Sequence, residues 1–337
     1  MIKNKKANKS KLRKIIENFL IVLLGIVTAF VFLIVQEYFH IRNDKLLVMK
    51  EDILTSYYNK ENIKKVLKSR LGDDYKGDLQ KDFENYIITM VLEDLSELEA
   101  DKWKRYNGFK TEKWMNNFKK TREKRANELI GREINKEIYY INIQAFYDGI
   151  TYEKFYSHMD ELKTHKNLII DLRDNSGGNF TDMKKIVDLL LKKGKIIYRL
   201  NSSDGIEKVY SEDERKLKFD EIVVLTNNNT ASVSELFILA LKGNLDNVTT
   251  LGVNTYGKSI SYGIRRFEDD SGMLFITNKM EGPNSEKIKT NGIEPDIKIG
   301  HLNEYYKKIQ SDNERKIVED RDKKQQLDKA IEYIKGS

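Results

Sequence analysis

Three short runs carry residues suited to breaking an acyl bond. In the first, Thr230-Ala231-Ser232-Val233-Ser234-Glu235 follows the apolar run EIVVLTN, so Ser232 stands where a strand turns into a helix. A serine at such a turn presents its hydroxyl at the open end of a sheet, and N–H groups of the first helical turn can stabilise an oxyanion. The spacing Ser232-x-x-Glu235 is equally a capping box, in which the hydroxyl only satisfies a helix N–H, and these residues alone leave both readings open. In the second run, IIDLRDNSGG, Gly177 and Gly178 follow another apolar stretch. Glycine there lets the backbone approach a ligand and offer an N–H, although paired glycines are also ordinary turn formers. The third run, Thr255-Tyr256-Gly257-Lys258, supplies an amine that becomes a general base if the fold desolvates it. In a chain with 60 Lys and Arg, one lysine by itself carries little weight.

Other chemistries find no support. There is no Gly-rich phosphate loop followed by Lys-Ser/Thr, no dinucleotide G-x-G-x-x-G and no H-E-x-x-H, so no cofactor and no metal is expected. The four histidines, His40, His158, His165 and His301, are scattered; His158 and His165 can share a helix face but lack a carboxylate cluster. The absence of cysteine removes disulfides, thiolate zinc sites and a cysteine nucleophile. The net charge of +7 comes from basic residues interleaved with acidic ones along the chain, which argues against a nucleic-acid partner.

The elements that must position these runs alternate. IYYINIQAF reads as a strand, 152–165 as a helix, NLIIDLR as a strand, 181–193 as a helix, KIIYRL and EIVVLTN as strands, and 233–242 as a helix. Strands alternating with helices imply an α/β fold with a mainly parallel, buried sheet. TTLGV, ISYGIRRFE and MLFITNK then read as β structure before NGIEPDIKI, and the segment 301–337 reads as a polar helical tail. Before this body, 44–132 repeats apolar residues at helical spacing with charges between them, and is expected to be a helical unit without catalytic spacing. At the amino-terminal end, 1–14 holds seven Lys and Arg and no acid, and Phe19 to Val35 is uncharged. A basic flank before an apolar span of this length predicts a transmembrane signal anchor over 15–39, because no small-x-small cleavage pattern follows. The positive-inside rule then leaves 1–14 as a cytoplasmic tail and puts the rest on the far side of the cell membrane.

In this order, DLRDNSGG, TASVSE, TYGK and GIEPD resemble the motifs of the carboxyl-terminal processing (tail-specific) serine proteases. The resemblance covers about 137–300 and implies a crotonase-like core. It further implies Ser232 as nucleophile, Lys258 as base and the N–H groups of Gly178 and Val233 as oxyanion hole, with Asp171 and Arg173 in structural roles. A membrane-anchored endopeptidase acting on peptides or protein tails through an acyl-enzyme is the expected function, with a non-catalytic peptide-binding protein on the same fold or an antimicrobial-peptide resistance protease as alternatives. Three departures stand out. Tyr262 occupies the place where the family often has a glutamine supporting the lysine, the interval from Ser232 to Lys258 is about a residue longer than expected, and the usual PDZ module is missing. The layout is similar to the nisin-resistance proteins, which pair the serine with a histidine, but SELEADKWKRY offers none there.

Overall fold

A computed structural model describes residues 60–72, 76–78, 81–83, 86, 87, 90, 108–202, 204–214, 216–267 and 270–336. The chain divides into two units, 1–90 and 91–337. The first contributes helix α1 (Lys60–Leu71), which buries Leu67 and Leu71. The expected basic tail and anchor at 1–39 lie outside the described residues. Among the described residues no helix is long and apolar enough to cross a membrane.

The second unit opens with β1 (Gly108–Lys110) and α2 (Glu112–Asn127), the latter started by Thr111, whose hydroxyl accepts the Trp114 N–H at 3.3 Å. Next come β2 (Ile130–Asn135) and β3 (Ile138–Asn142), α3 (Ile150–Tyr156), α4 (Met159–Thr164), β4 (Asn167–Asp171) and α5 (Phe180–Leu190). The chain continues through β5 (Ile196–Ser202), β6 (Gly205–Tyr210), β7 (Glu221–Thr226), α6 (Val233–Lys242), β8 (Val248–Gly252), β9 (Ile260–Arg266) and β10 (Gly272–Glu281). It closes with β11 (Ile297–Lys298), α7 (Asn303–Lys307) and α8 (Asp312–Gly336). The single helix expected over 152–165 is two short ones, α3 and α4, separated at Ser157 and His158.

The central sheet has the order β11-β8-β7-β4-β3-β2, and every pairing in it is parallel except the β2–β3 hairpin. The apolar runs NLIID and EIVVLT form its middle, where all residues of β4 are buried. Both faces of such a sheet must be covered. On one face Leu168, Ile170, Ile222 and Val224 join the buried sides of α5 and α6 in the larger core. On the other, Ile169, Val223, Leu225 and Leu251 meet Ala330 and Ile334 of α8. A second, wholly antiparallel sheet has β10 at its centre, pairing β1, β5 and β9, with β6 beyond β5.

Candidate active site

Strands β4 and β7 run side by side, with Asp171 opposite Leu225, so the loops at their carboxyl ends emerge together. Ligand sites of parallel sheets form at this edge. The DNSGG loop leaves β4 and the serine turn leaves β7, and hydrogen bonds join them. The Thr230 hydroxyl donates to Leu172 O at 2.8 Å, and Ala231 N–H donates to Asn175 O at 3.0 Å. Asn175 also shapes its own loop, its side chain donating to Ile143 O at 2.9 Å and accepting from Gly177 N–H at 2.9 Å.

Ser232 sits at φ 60° and ψ −121°, a conformation that non-glycine residues rarely adopt and that costs of order 1–3 kcal/mol. The main chain around it compensates: Ser232 N–H donates to the Glu235 carboxylate at 2.7 Å. Ser232 and Glu235 form the capping box that their spacing allowed, and Glu235 N–H is also paired with the Ser232 carbonyl oxygen at 2.8 Å, so that donor does not depend on the hydroxyl alone. Val233 follows as the first residue of α6. Neither its N–H nor that of Gly178 takes part in a hydrogen bond among the described residues.

The paired glycines are required by contact. A Cβ on Gly177 would stand 2.9 Å from Ser232 Cβ and 2.9 Å from Val233 N, so this loop abuts the serine turn. Gly178 has φ 143°, and a Cβ there would fall 1.9 Å from Phe146 O. Phe146 and Gly178 form a parallel bridge, which fixes the backbone on both sides of the Gly178 N–H.

Lys258 is buried, and its Nζ lies 4.3 Å from the centroid of the Tyr262 ring. Tyr262, at the place of the supporting glutamine, thus offers the amine a ring face. Ser232, Lys258, Gly178 and Tyr262 all line one cleft. Its remaining walls include Phe118 and Arg122 of α2, Tyr147, Phe180 and Ile264.

One residue ties the parts together. The Glu235 carboxylate receives Ser232 N–H and Lys258 N–H on one oxygen, at 2.7 and 2.8 Å, and the Thr255 hydroxyl and Gly257 N–H on the other, at 2.5 and 2.7 Å. Burial pushes this carboxyl above the usual carboxylate range, against the opposing pull of those four donors. Its sequence spacing marked it as half of a helix cap; its span from the serine turn to the lysine loop has no local signal. Phe118 and Arg122 were also missed, being read as part of a helical segment without catalytic spacing. The spacing of Trp114, Phe118 and Arg122 at four-residue steps, one helix face, was the available signal.

His158 and His165 lie elsewhere. His158 Nδ1 is 2.8 Å from the Tyr139 hydroxyl, and His165 Nδ1 is 2.6 Å from Glu161 O; neither lines the cleft. Among the described residues no group of three or more His, Asp or Glu is placed to hold a metal ion. Asp171 and Arg173 form a buried pair, Nε to Oδ1 at 2.9 Å, and Tyr140 donates to the same carboxylate at 2.7 Å. Arg173 further donates to Lys323 O and to Gln326 of α8 at 2.7 and 3.0 Å, so this pair links β4 to α8.

A serine at a strained strand-to-helix turn, two unengaged N–H groups and a buried amine in one cleft are the parts that serine-type peptide hydrolysis requires. Residues 137–299 match the model of peptidase family S41, and the relatives below are similar to this region in the same sense, as carboxyl-terminal processing proteases. Probable CtpA-like serine proteases of Staphylococcus aureus and Staphylococcus saprophyticus are 31% identical over 144 residues, 41% of this chain and 29% of theirs. The chain therefore matches less than a third of the length of these curated relatives. A lipoprotein from Streptococcus agalactiae shares the fold, with a TM-score of 0.53 at 17% identity over 74% of this chain and 89% of that one. The photosystem II D1 C-terminal processing protease aligns over 48% of this chain and 42% of its own, at 25% identity and a TM-score of 0.41.

Proposed function

We propose that this chain is a membrane-anchored endopeptidase that cleaves peptides or protein tails outside the cytoplasm through a Ser232–Lys258 dyad on a crotonase-like core. The carrying observation is the shared cleft: Ser232, held at φ 60°, lines it together with Lys258 and Gly178. In the proposed reaction the Ser232 Oγ attacks the scissile carbonyl carbon while its proton passes to the neutral Lys258 Nζ. The oxyanion accepts hydrogen bonds from Gly178 N–H and Val233 N–H. Collapse expels the amine, which takes the proton from Lys258, and leaves an acyl-serine. Water, deprotonated by the same amine, then releases the acid and restores the serine. The anchor over 15–39 and the basic tail before it support the location, with the domain on the outer side.

A non-catalytic peptide-binding protein is the second reading, and the Tyr262 ring favours it, because a π-face 4.3 Å from Nζ stabilises the ammonium rather than the amine. A fluorophosphonate probe separates the two. The intact protein labels and Ser232→Ala does not, with Lys258→Ala folded and labelled far more slowly. An intact protein that stays unlabelled, or labelling that survives in Ser232→Ala, refutes the dyad.

A further inference from the structure

The cleft contains one charged side chain that the proposed chemistry leaves unused. Arg122 projects from α2 beside the oxyanion loop, its Nη1 2.9 Å from the point where a Gly178 Cβ would stand. Its guanidinium lies over the Phe118 ring, 4.6 Å from the centroid, and Phe118 in turn stacks on Trp114 at 4.8 Å and 15°. The side chain is thus held by a ladder along one face of α2. Nevertheless it makes no hydrogen bond or ion pair among the described residues. Neighbouring arginines do: Arg125 donates to Gln144 at 3.3 Å and to the carbonyl of Asp174, and Arg266 pairs with Asp270 at 3.3 Å.

A guanidinium is always charged, and its planar fork of donors matches a carboxylate. A half-buried one, braced on an aromatic ring and left without an anion, is prepared for an anion that arrives with the ligand. The other walls are mostly aromatic and apolar, Phe118, Tyr147, Phe180, Tyr262 and Ile264, with Asn179 and Ser261 as polar points among them, which suits a peptide. The anions an unmodified peptide brings are carboxylates. We infer that Arg122 is a specificity-determining residue that binds a substrate carboxylate, either the free carboxyl terminus or an Asp or Glu side chain, next to the scissile bond. The inference rests on the cleft being a peptide site, as proposed above.

The test uses a mixed-sequence peptide library in two matched arms, free against amidated carboxyl termini and Glu against Gln, with cleavage followed by mass spectrometry. The intact protein should prefer the acidic member of at least one arm by about tenfold or more in kcat/KM, the scale of one charge-assisted pair. The arm that shows the preference identifies the source of the carboxylate. In Arg122→Gln the ratio falls toward one; Arg122→Lys, which keeps the charge but not the fork, retains part of it. Equal rates for acidic and neutral members in the intact protein overturn the inference. So does an undiminished ratio in Arg122→Gln, or a slowing of both members alike, which would make the guanidinium a partner of the oxyanion. Equilibrium binding of the same peptides to Ser232→Ala, with and without Arg122→Gln, gives a readout free of catalysis. Acid-selective binding that depends on Arg122 without cleavage by the intact protein leaves this inference standing and removes the peptidase reading. Binding without acid preference removes this inference alone.

Discussion

Glu235→Gln is the most informative perturbation of the site. Each carboxylate oxygen receives two donors, Ser232 N–H with Lys258 N–H and the Thr255 hydroxyl with Gly257 N–H. A glutamine keeps one acceptor oxygen and turns the other into an NH2 group. Whichever way it is turned, the NH2 faces at least one backbone N–H that cannot rotate away. Turned toward Thr255, whose hydroxyl can rotate to accept from it, the NH2 leaves one buried donor, Gly257 N–H, without its acceptor; such a donor costs about 1–3 kcal/mol, so the variant should be less stable by about that much. The carboxyl group is fully buried, so water offers little relief. Because the lost bond holds the serine turn to the lysine loop, fluorophosphonate labelling should slow beyond what the unfolded fraction explains. The assay pairs urea unfolding with the labelling rate under conditions where the variant is folded. A Glu235→Gln protein with unchanged midpoint and labelling rate would refute the reasoning. It would mean that burial already keeps the carboxyl protonated and that glutamine merely replaces a neutral acid.

Three further outcomes are expected. Tyr262→Leu removes the ring face beside the Lys258 Nζ, so the rate at which Ser232 is labelled by a fluorophosphonate should rise by about two- to fivefold, the scale of one cation–π contact; an unchanged rate refutes it. Ser232→Gly should unfold at higher urea than Ser232→Ala, by about 1 kcal/mol, because glycine relieves the strain at φ 60°, and both should be inert to the probe. Burial would raise the Asp174 carboxyl, but bonds from Lys323, Asn229 and Asn227 outweigh it and hold it at about 2. Its stabilising contribution is complete above the unfolded value near 4 and disappears as pH falls through about 2, so Lys323→Met should cost stability at pH 6 and progressively less between pH 4 and 2, as read by denaturation at each pH.

Much of the site was legible because its signals are local. A short run such as EIVVLT, rich in β-branched residues, reads as a strand buried on both sides, and a Ser-x-x-Glu run soon after it marks the turn into α6, whose bounds of 233–242 are those the sequence predicts. Gly177 and Gly178 announced a close backbone approach, and Phe146 O and Ser232 are what approaches. The rest depends on distant partners. β6, with the run GIEKVY, is exposed along nearly its whole length and carries no buried face to give it a period. β2 is an edge strand with the same difficulty. The span of Glu235 from the serine turn to the lysine loop, and the delivery of Arg122 to the cleft by α2, are made by chain folding across 20 residues or more, which no periodicity encodes.

Helix α8 reads as a polar tail, yet it closes one face of the central sheet and holds Arg173 and Asp174 at the root of the DNSGG loop. It follows every residue of the cleft in chain order. During synthesis Ser232 and Lys258 therefore emerge while the face under Val223 and Leu225 is still open and the loop bearing Gly178 lacks its clamp. Chain order thus makes the clamp on the DNSGG loop a late arrival, carried by a segment roughly 60 residues beyond Lys258.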